Sequence, residues 1–173
     1  MTAAVLTISD SAFAGRRVDV SGPAVKQRLE AAGFLVRRCE TVPDEVPVIV
    51  AKLKELAAAG AVRAIITTGG TGVTSRDVTP EAMRLVLEKE MPGLGELMRA
   101  EGLKKTPKAA LSRSTAGVVG RVFIAALPGS PKGAVESLDA ILDLVPHILN
   151  LIAGATEHPP IPEETASTEA ASN

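Results

Sequence analysis

The stretch Ala64-Ile65-Ile66-Thr67-Thr68-Gly69-Gly70-Thr71-Gly72, continuing through Arg76-Asp77-Val78-Thr79-Pro80-Glu81, says more about this chain than any other. Its first five residues are apolar and β-branched, which reads as a buried strand. The strand empties into a loop of three glycines and one Arg–Asp pair. Thr79 then reads as a helix N-cap, with Pro80 at the first helical position and Glu81 behind it. Glycine lets the backbone turn several N–H groups toward one point, an arrangement that suits an anion. Because open α/β sheets bind ligands at the carboxyl ends of their strands, the loop points to a small phosphorylated ligand. The carboxylate of Asp77 fits such a cradle only with a metal ion between acid and phosphate. On spacing alone the loop is as readily a tight turn. Two nucleotide motifs fail here. A P-loop needs a Lys that is absent between Gly69 and Pro80, and a dinucleotide fingerprint needs glycine where Ser75 stands.

Composition narrows the class. A chain of 173 residues supports one domain with a real core. Hydrophobic residues make up 46% and aromatics only 2%, so the core is built from Ala, Val, Leu and Ile. Scarce aromatics argue against single-stranded nucleic-acid binding by stacking, and a net charge of −1 argues against a broad DNA or RNA footprint. The one cysteine, Cys39, fits a reducing cytosol and a structural role, and with two histidines a His/Cys zinc site is not expected. No apolar run reaches membrane-spanning length and no basic leader opens the chain, so a cytoplasmic protein with no membrane partner is expected.

Working outward from the glycine loop, the pattern predicts strand, helix, strand, helix, strand over the first 68 residues. Ala3 to Ile8 is the first strand, followed by a polar turn at Ser9-Asp10-Ser11. A helix opens at Ser21-Gly22-Pro23, with Val25, Leu29 and Ala32 on its inner face and Gly33 as its stop. A second strand runs from Phe34 to near Cys39. A helix with Val46, Ile49, Val50, Leu53 and Leu56 at helical spacing leads to Gly60. This alternation predicts a parallel sheet with crossover helices. Beyond the loop, helices are expected over 80–90 and 94–104, the latter with Leu94, Leu97, Met98 and Leu103 on its apolar side. Strands are expected over 111–119 and 121–127, and one long helix from Pro131 through Leu149. Residues 1–156 are expected to form the domain, and the Pro-, Glu- and Ser-rich residues 157–173 a disordered tail.

Three loops that follow apolar strands should open on one edge of the sheet, joined by Pro128 to Pro131. They carry Asp10 and Asp19, Asp44, and Asp77. Carboxylates converging beside amide-rich turns suit Mg²⁺ bound to phosphate oxygens. Asp10 and Asp19 are read as turn or cap residues, and Asp77 as functional. Ser112-Arg113-Ser114 offers a guanidinium and hydroxyls to an anion or a polar heterocycle. Ser130 opens a helix whose first turn holds Lys132, misplaced for the helix dipole and so a hint of a ligand anion.

These motifs together resemble the molybdenum-cofactor biosynthesis family, whose members include bacterial MogA and MoaB and the G domains of plant and animal proteins such as gephyrin. The resemblance rests on Thr67-Thr68-Gly69-Gly70-Thr71-Gly72 with Arg76 to Ala82, on Ile8-Ser9-Asp10, and on Asp19 with Ser21-Gly22-Pro23. It extends to Val42-Pro43-Asp44-Glu45, Met91 to Glu96, Leu111-Ser112-Arg113 and Leu127 to Pro131, spanning Ala3 to about Gly154. It implies a three-layer α/β sandwich with a mostly parallel central sheet. It also implies assembly as a trimer, or as a hexamer in the MoaB-like branch, and a molybdenum-inserting partner protein. The implied reaction is Mg²⁺-dependent transfer of AMP from ATP to molybdopterin, with release of pyrophosphate. Asp44 and Asp77 fall on the family's functional acids and would hold the metal. Gly69, Gly70, Thr71, Gly72, Arg76, Glu96, Ser112, Arg113, Ser130 and Lys132 fall on substrate-side positions, although some members carry Asn where Ser130 stands. A molybdopterin-binding protein without turnover and a trimeric scaffold are the alternatives.

Overall fold

In the computed structural model, which describes residues 1–154, six strands form a single sheet in the order β2-β1-β3-β6-β5-β4. The strands are β1 (Thr2–Ile8), β2 (Leu35–Val42), β3 (Ala64–Thr68), β4 (Lys89–Glu90), β5 (Thr115–Val119) and β6 (Val122–Leu127). Pairings β2–β1, β1–β3 and β3–β6 are parallel, whereas β5 runs antiparallel to both β6 and β4. The helices are α1 (Asp10–Phe13), α2 (Ser21–Ala31), α3 (Val46–Ala58), α4 (Thr79–Arg84), α5 (Pro92–Leu103), α6 (Pro131–Leu142) and α7 (Val145–Ile152).

Both faces of the sheet are covered, which explains why its central strands read as unbroken apolar runs. Ala3, Val5, Ala64, Ile66, Phe123 and Ala125 turn to one side, against Val25 and Leu29 of α2, Met98 of α5, Leu138 of α6 and Leu149 of α7. Ala4, Leu6, Ile65, Ile124 and Ala126 turn to the other, against Ile49 and Leu53 of α3 and Met83 of α4. The expected three-layer α/β sandwich with a mostly parallel sheet is therefore present. The chain passes from β1 to β2 on one side and returns across β1 to β3 on the other. The strand order thus reverses between β1 and β3, and a crevice opens beyond their carboxyl ends.

Several element boundaries differ from the sequence reading. The polar turn after β1 is the short helix α1, capped by Ser9, whose hydroxyl accepts from the Ala12 N–H. Strand β2 runs past Cys39 to Val42, and Cys39 is exposed on it. Ala32 is an exposed C-cap instead of an inner-face residue. Helix α4 stops at Arg84 because Val86 and Leu87 turn inward and Lys89–Glu90 pair with β5, tertiary pairing overriding local pattern. Strand β5 begins at Thr115 instead of Leu111, which closes a 3₁₀ turn over Pro107–Leu111, and Leu103 is exposed. The expected single helix after Pro131 is split into α6 and α7. Pro146 has no N–H to continue the ladder, and its ring collides with the preceding turn. The expected tail lies outside the described residues.

Candidate active site

Four loops meet at the carboxyl edge of the parallel strands, as the alternation of strand and helix predicts. They follow β1, β2, β3 and β6. The glycine loop after β3 is anchored by its own backbone, since Gly69 N–H donates to the Leu127 carbonyl at 3.1 Å and Thr79 N–H to the Gly70 carbonyl at 3.0 Å. Buried Thr79 adds its hydroxyl to the Gly69 carbonyl at 2.8 Å. At two of the glycines any side chain is strained. Gly69 and Gly70 hold φ of 106° and 62°, in the left-handed region that side chains avoid. A Cβ on Gly69 would lie 2.1 Å from the Ile8 carbonyl oxygen, and one on Gly70 would lie 2.4 Å from the Thr79 hydroxyl.

The acids occupy unequal environments. Asp44 accepts a hydrogen bond at Oδ2 from the Asp10 N–H at 2.7 Å, and its own N–H donates to Asp10 Oδ1 at 3.0 Å. Burial pushes the Asp44 carboxyl above the ordinary range, helped by the charges of Asp10 and Asp77 and opposed by the Asp10 N–H and Arg76. Burial also pushes Asp77 upward. There the hydrogen bonds from Thr74 and Gly72 and the charge of Arg113 outweigh it, and the carboxyl lies below the ordinary range. Two carboxylates at one cleft are thus pushed in opposite directions.

Arg76, expected on a substrate, grips Asp10 with both faces of its fork. Its Nε and Nη2 donate to the two carboxylate oxygens at 2.9 Å each. Arg113 is likewise engaged within the protein. Nε donates to the Gly72 carbonyl at 2.6 Å, Nη2 to the Asp77 carbonyl and Nη1 to Glu81. It ties the far end of the glycine loop to α4. Asp19 is a cap, accepting from Thr7 and Ser21 hydroxyls and from the Gly22 N–H at the start of α2, as the turn-residue reading had it.

The cleft has two chambers. One, of about 390 Å³, is lined by Thr71, Gly72 and Ser112 together with Met98, Arg99 and Lys108. The second, of about 450 Å³, is lined by Asp44 and Arg76 together with Ser9, Arg17, Asp19 and Gly69. Gly70, Asp77, Gly129 and Ser130 belong to the walls of both. Ser130 also caps α6, accepting from the Gly133 N–H at 3.2 Å. Glu96 is exposed on α5 and Lys132 on the first turn of α6, and neither lines a chamber. Sequence reasoning missed Arg99 and Lys108. Arg99 left a faint signal, one turn after the buried Gly95 on α5, where its guanidinium reaches the Ser112 and Ser114 carbonyls. Lys108 left none.

A doubly covered α/β sheet with an amide-rich loop at its switch point, two adjoining chambers and two unequal acids, Asp77 in the wall of both chambers and Asp44 in that of the second, defines the class of this protein. The chain belongs to the family described as a probable molybdopterin binding domain, which it matches over residues 4–147. It is 40% identical over 152 residues to a molybdopterin adenylyltransferase of Helicobacter pylori, covering 87% of this chain and 86% of that protein. It is 42% identical over 153 residues, or 88% of its length, to the Drosophila melanogaster molybdenum cofactor synthesis protein cinnamon, of which it spans only 26%. The crystal structure of the molybdopterin biosynthesis enzyme MoaB from Thermus thermophilus is similar with a TM-score of 0.83 at 50% identity, covering 88% of this chain and 96% of that one. No helix among the described residues is long and apolar enough to cross a membrane.

Proposed function

We propose that this protein is a molybdopterin adenylyltransferase, transferring AMP from ATP to the terminal phosphate of molybdopterin in molybdenum-cofactor synthesis. The carrying observation is that the two chambers share Gly70, Asp77, Gly129 and Ser130 as a common wall. A bisubstrate transfer needs its reactants to meet at such a point. The chamber with Met98, Ala109 and Leu111 beside Arg99, Lys108 and Ser112 offers apolar faces and polar edges to a pterin. The other, with Arg17, the glycine loop and the acids, suits a nucleotide phosphate chain.

In this reading a phosphate oxygen of molybdopterin attacks the α-phosphorus of ATP, the α–β phosphoanhydride bond breaks, and pyrophosphate leaves. The chain supplies no nucleophile. Backbone N–H groups of the loop cover charge that grows on the α-phosphoryl oxygens, and the chambers fix the line of attack. Arg113 holds the loop in place by its carbonyls. The donor set fits Mg²⁺, which binds through one or two carboxylates and completes its shell with water and substrate phosphates. Asp77 stands in the shared wall, and Asp44 lines the second chamber. Among the described residues no cluster of three or more His, Cys, Asp or Glu side chains competes for it. When bound, Mg²⁺ would neutralise phosphate charge between these acids. The reading gives Glu96 and Lys132 no contact. It also includes a cytoplasmic homotrimer and a molybdenum-inserting partner protein, supported by the family resemblance alone.

The test is incubation with molybdopterin, Mg²⁺ and ATP labelled at the α-phosphate. Label moving onto the pterin with equimolar pyrophosphate supports the reading. Tight molybdopterin binding without transfer replaces it with the binding-protein alternative, and light scattering of the same preparation settles the trimer.

A further inference from the structure

Asp10 stands at the end of β1 in the first turn of α1, on neither acid-bearing loop, yet it touches both. Its carboxylate takes three hydrogen bonds: two from Arg76 on the glycine loop and one from the Asp44 N–H on the loop after β2. Its own N–H fixes Asp44 Oδ2. The other Asp44 oxygen, Oδ1, faces Gly70, lying 3.2 Å from where a Cβ there would stand. A single residue therefore sets both the height of the Asp44 carboxylate and its distance from the loop carrying Asp77.

We infer that Asp10 and Arg76 form a clasp that holds the two acid-bearing loops at working separation, which makes both of them positioning residues for the transfer. The inference rests on the adenylyltransferase reading and moves Arg76 from a substrate contact to a structural one. Stability is not the clasp's main contribution. The Arg76 and Asp10 side chains are 56% and 35% exposed, and ion pairs in such surroundings add little to folding. What the bidentate geometry supplies is order, because a planar fork on a carboxylate fixes direction as well as distance. The fork spans 66 residues of sequence, so it closes the crevice across the β1–β3 switch point instead of stapling one turn. Without it, the Asp44 backbone loses the acceptor that restrains it, and the glycine loop keeps its Arg113 tie and its anchors to Leu127 and Thr79 but, among the described residues, no hydrogen-bonded link to the loops that carry Asp10 and Asp44.

The test is a double-mutant cycle of Asp10→Asn, Arg76→Gln and the pair together, with hydrogen exchange measured on the same full-length proteins. Each single substitution should lower kcat for AMP transfer by about 10- to 100-fold, the range that ångström-scale misplacement produces. KM for ATP should stay within about threefold, and the double variant should fall no lower than the worse single one. Arg76→Lys, which keeps the charge and loses the fork, should rescue little. Exchange in residues 43–46 and 72–78 should quicken in every variant and hold elsewhere. Additive losses with an ATP KM raised about tenfold would make Arg76 a phosphate ligand and overturn the clasp. Unchanged exchange in both loops would overturn it as well. If the parent protein transfers no AMP, the adenylyltransferase reading falls, and the exchange arm decides the clasp by itself.

Discussion

Gly70→Ala isolates the packing that shapes the candidate site. Two costs arise from one methyl group. At φ of 62° an L-residue meets its own carbonyl, at about 1–2 kcal/mol. The new Cβ would also sit 2.4 Å from the Thr79 hydroxyl, which is fully buried and donates to the Gly69 carbonyl. That hydroxyl must swing away, leaving a buried group unpaired at about 1–3 kcal/mol. The sum, about 2–5 kcal/mol, is well below the whole stability of most domains, so the variant folds and melts early. At about 3 °C per kcal/mol for a chain of this size, the drop is about 6–15 °C. In a Thr79→Ala background the second cost is already spent, and Gly70→Ala should cost only the backbone term. Urea unfolding of the four proteins reads the difference as a coupling of about 1–3 kcal/mol. Equal costs in the two backgrounds would refute the collision, and with it the claim that Gly70 is fixed by Thr79 and not by ligand approach alone.

Asp44→Asn and Asp77→Asn should each cut AMP transfer by about two orders of magnitude, the scale of a lost electrostatic contact, with molybdopterin binding by titration nearly unchanged; full turnover in both would sink the acid assignment. Arg113→Lys keeps the charge but cannot reach Gly72, Asp77 and Glu81 at once. It should lower stability by about 1–3 kcal/mol in urea unfolding and weaken ATP binding, whereas parent-like values for both would show that the loop stands without it. For Glu81, burial raises the carboxyl while Arg113 and further hydrogen bonds lower it more, leaving it depressed. A depressed acid stabilises the fold above its unfolded value, about 4.3, and that contribution is lost as pH falls through the folded value. Melting of Glu81→Gln against the parent should therefore show a gap near neutral pH that closes on acidification, and a gap that widens instead would overturn the sign.

The fold was legible where burial is two-sided and periodic. Runs such as Ala64–Thr68 and Val122–Leu127 leave no choice but a covered strand, and their alternation with helical spacing fixes a parallel sheet. What misled the reading were places where local pattern and tertiary pairing disagree. Residues 85–90 carry helical spacing, yet Lys89–Glu90 are taken by β5. Residues 131–149 carry one apolar stripe, yet Pro146 breaks it. The proline was visible in the sequence, and its effect follows from the missing N–H, so that break could have been placed in advance.

The candidate site divides along a different line. Asp77 was singled out because an acid beside glycines has few structural uses; Asp44 was placed on the same edge because loops after parallel strands share it, and its role is what the family resemblance implies. The glycines themselves were found because their conformational freedom is a property of the residue. Arg76 and Arg113 carry the same charge and sit as close to the cleft, yet the structure occupies both with protein partners 66 and up to 41 residues away in sequence. A guanidinium near an anion site reads as an anion ligand unless its partner is known, and the partner is set only when the sheet order brings the loop after β1 beside the loop after β3. Asp10, dismissed in sequence as a turn residue, caps nothing and instead meets that guanidinium. Sequence spacing locates chemistry that belongs to one loop. Chemistry that belongs to the contact between two loops waits on the topology, and in this protein that contact lies where the strand order reverses.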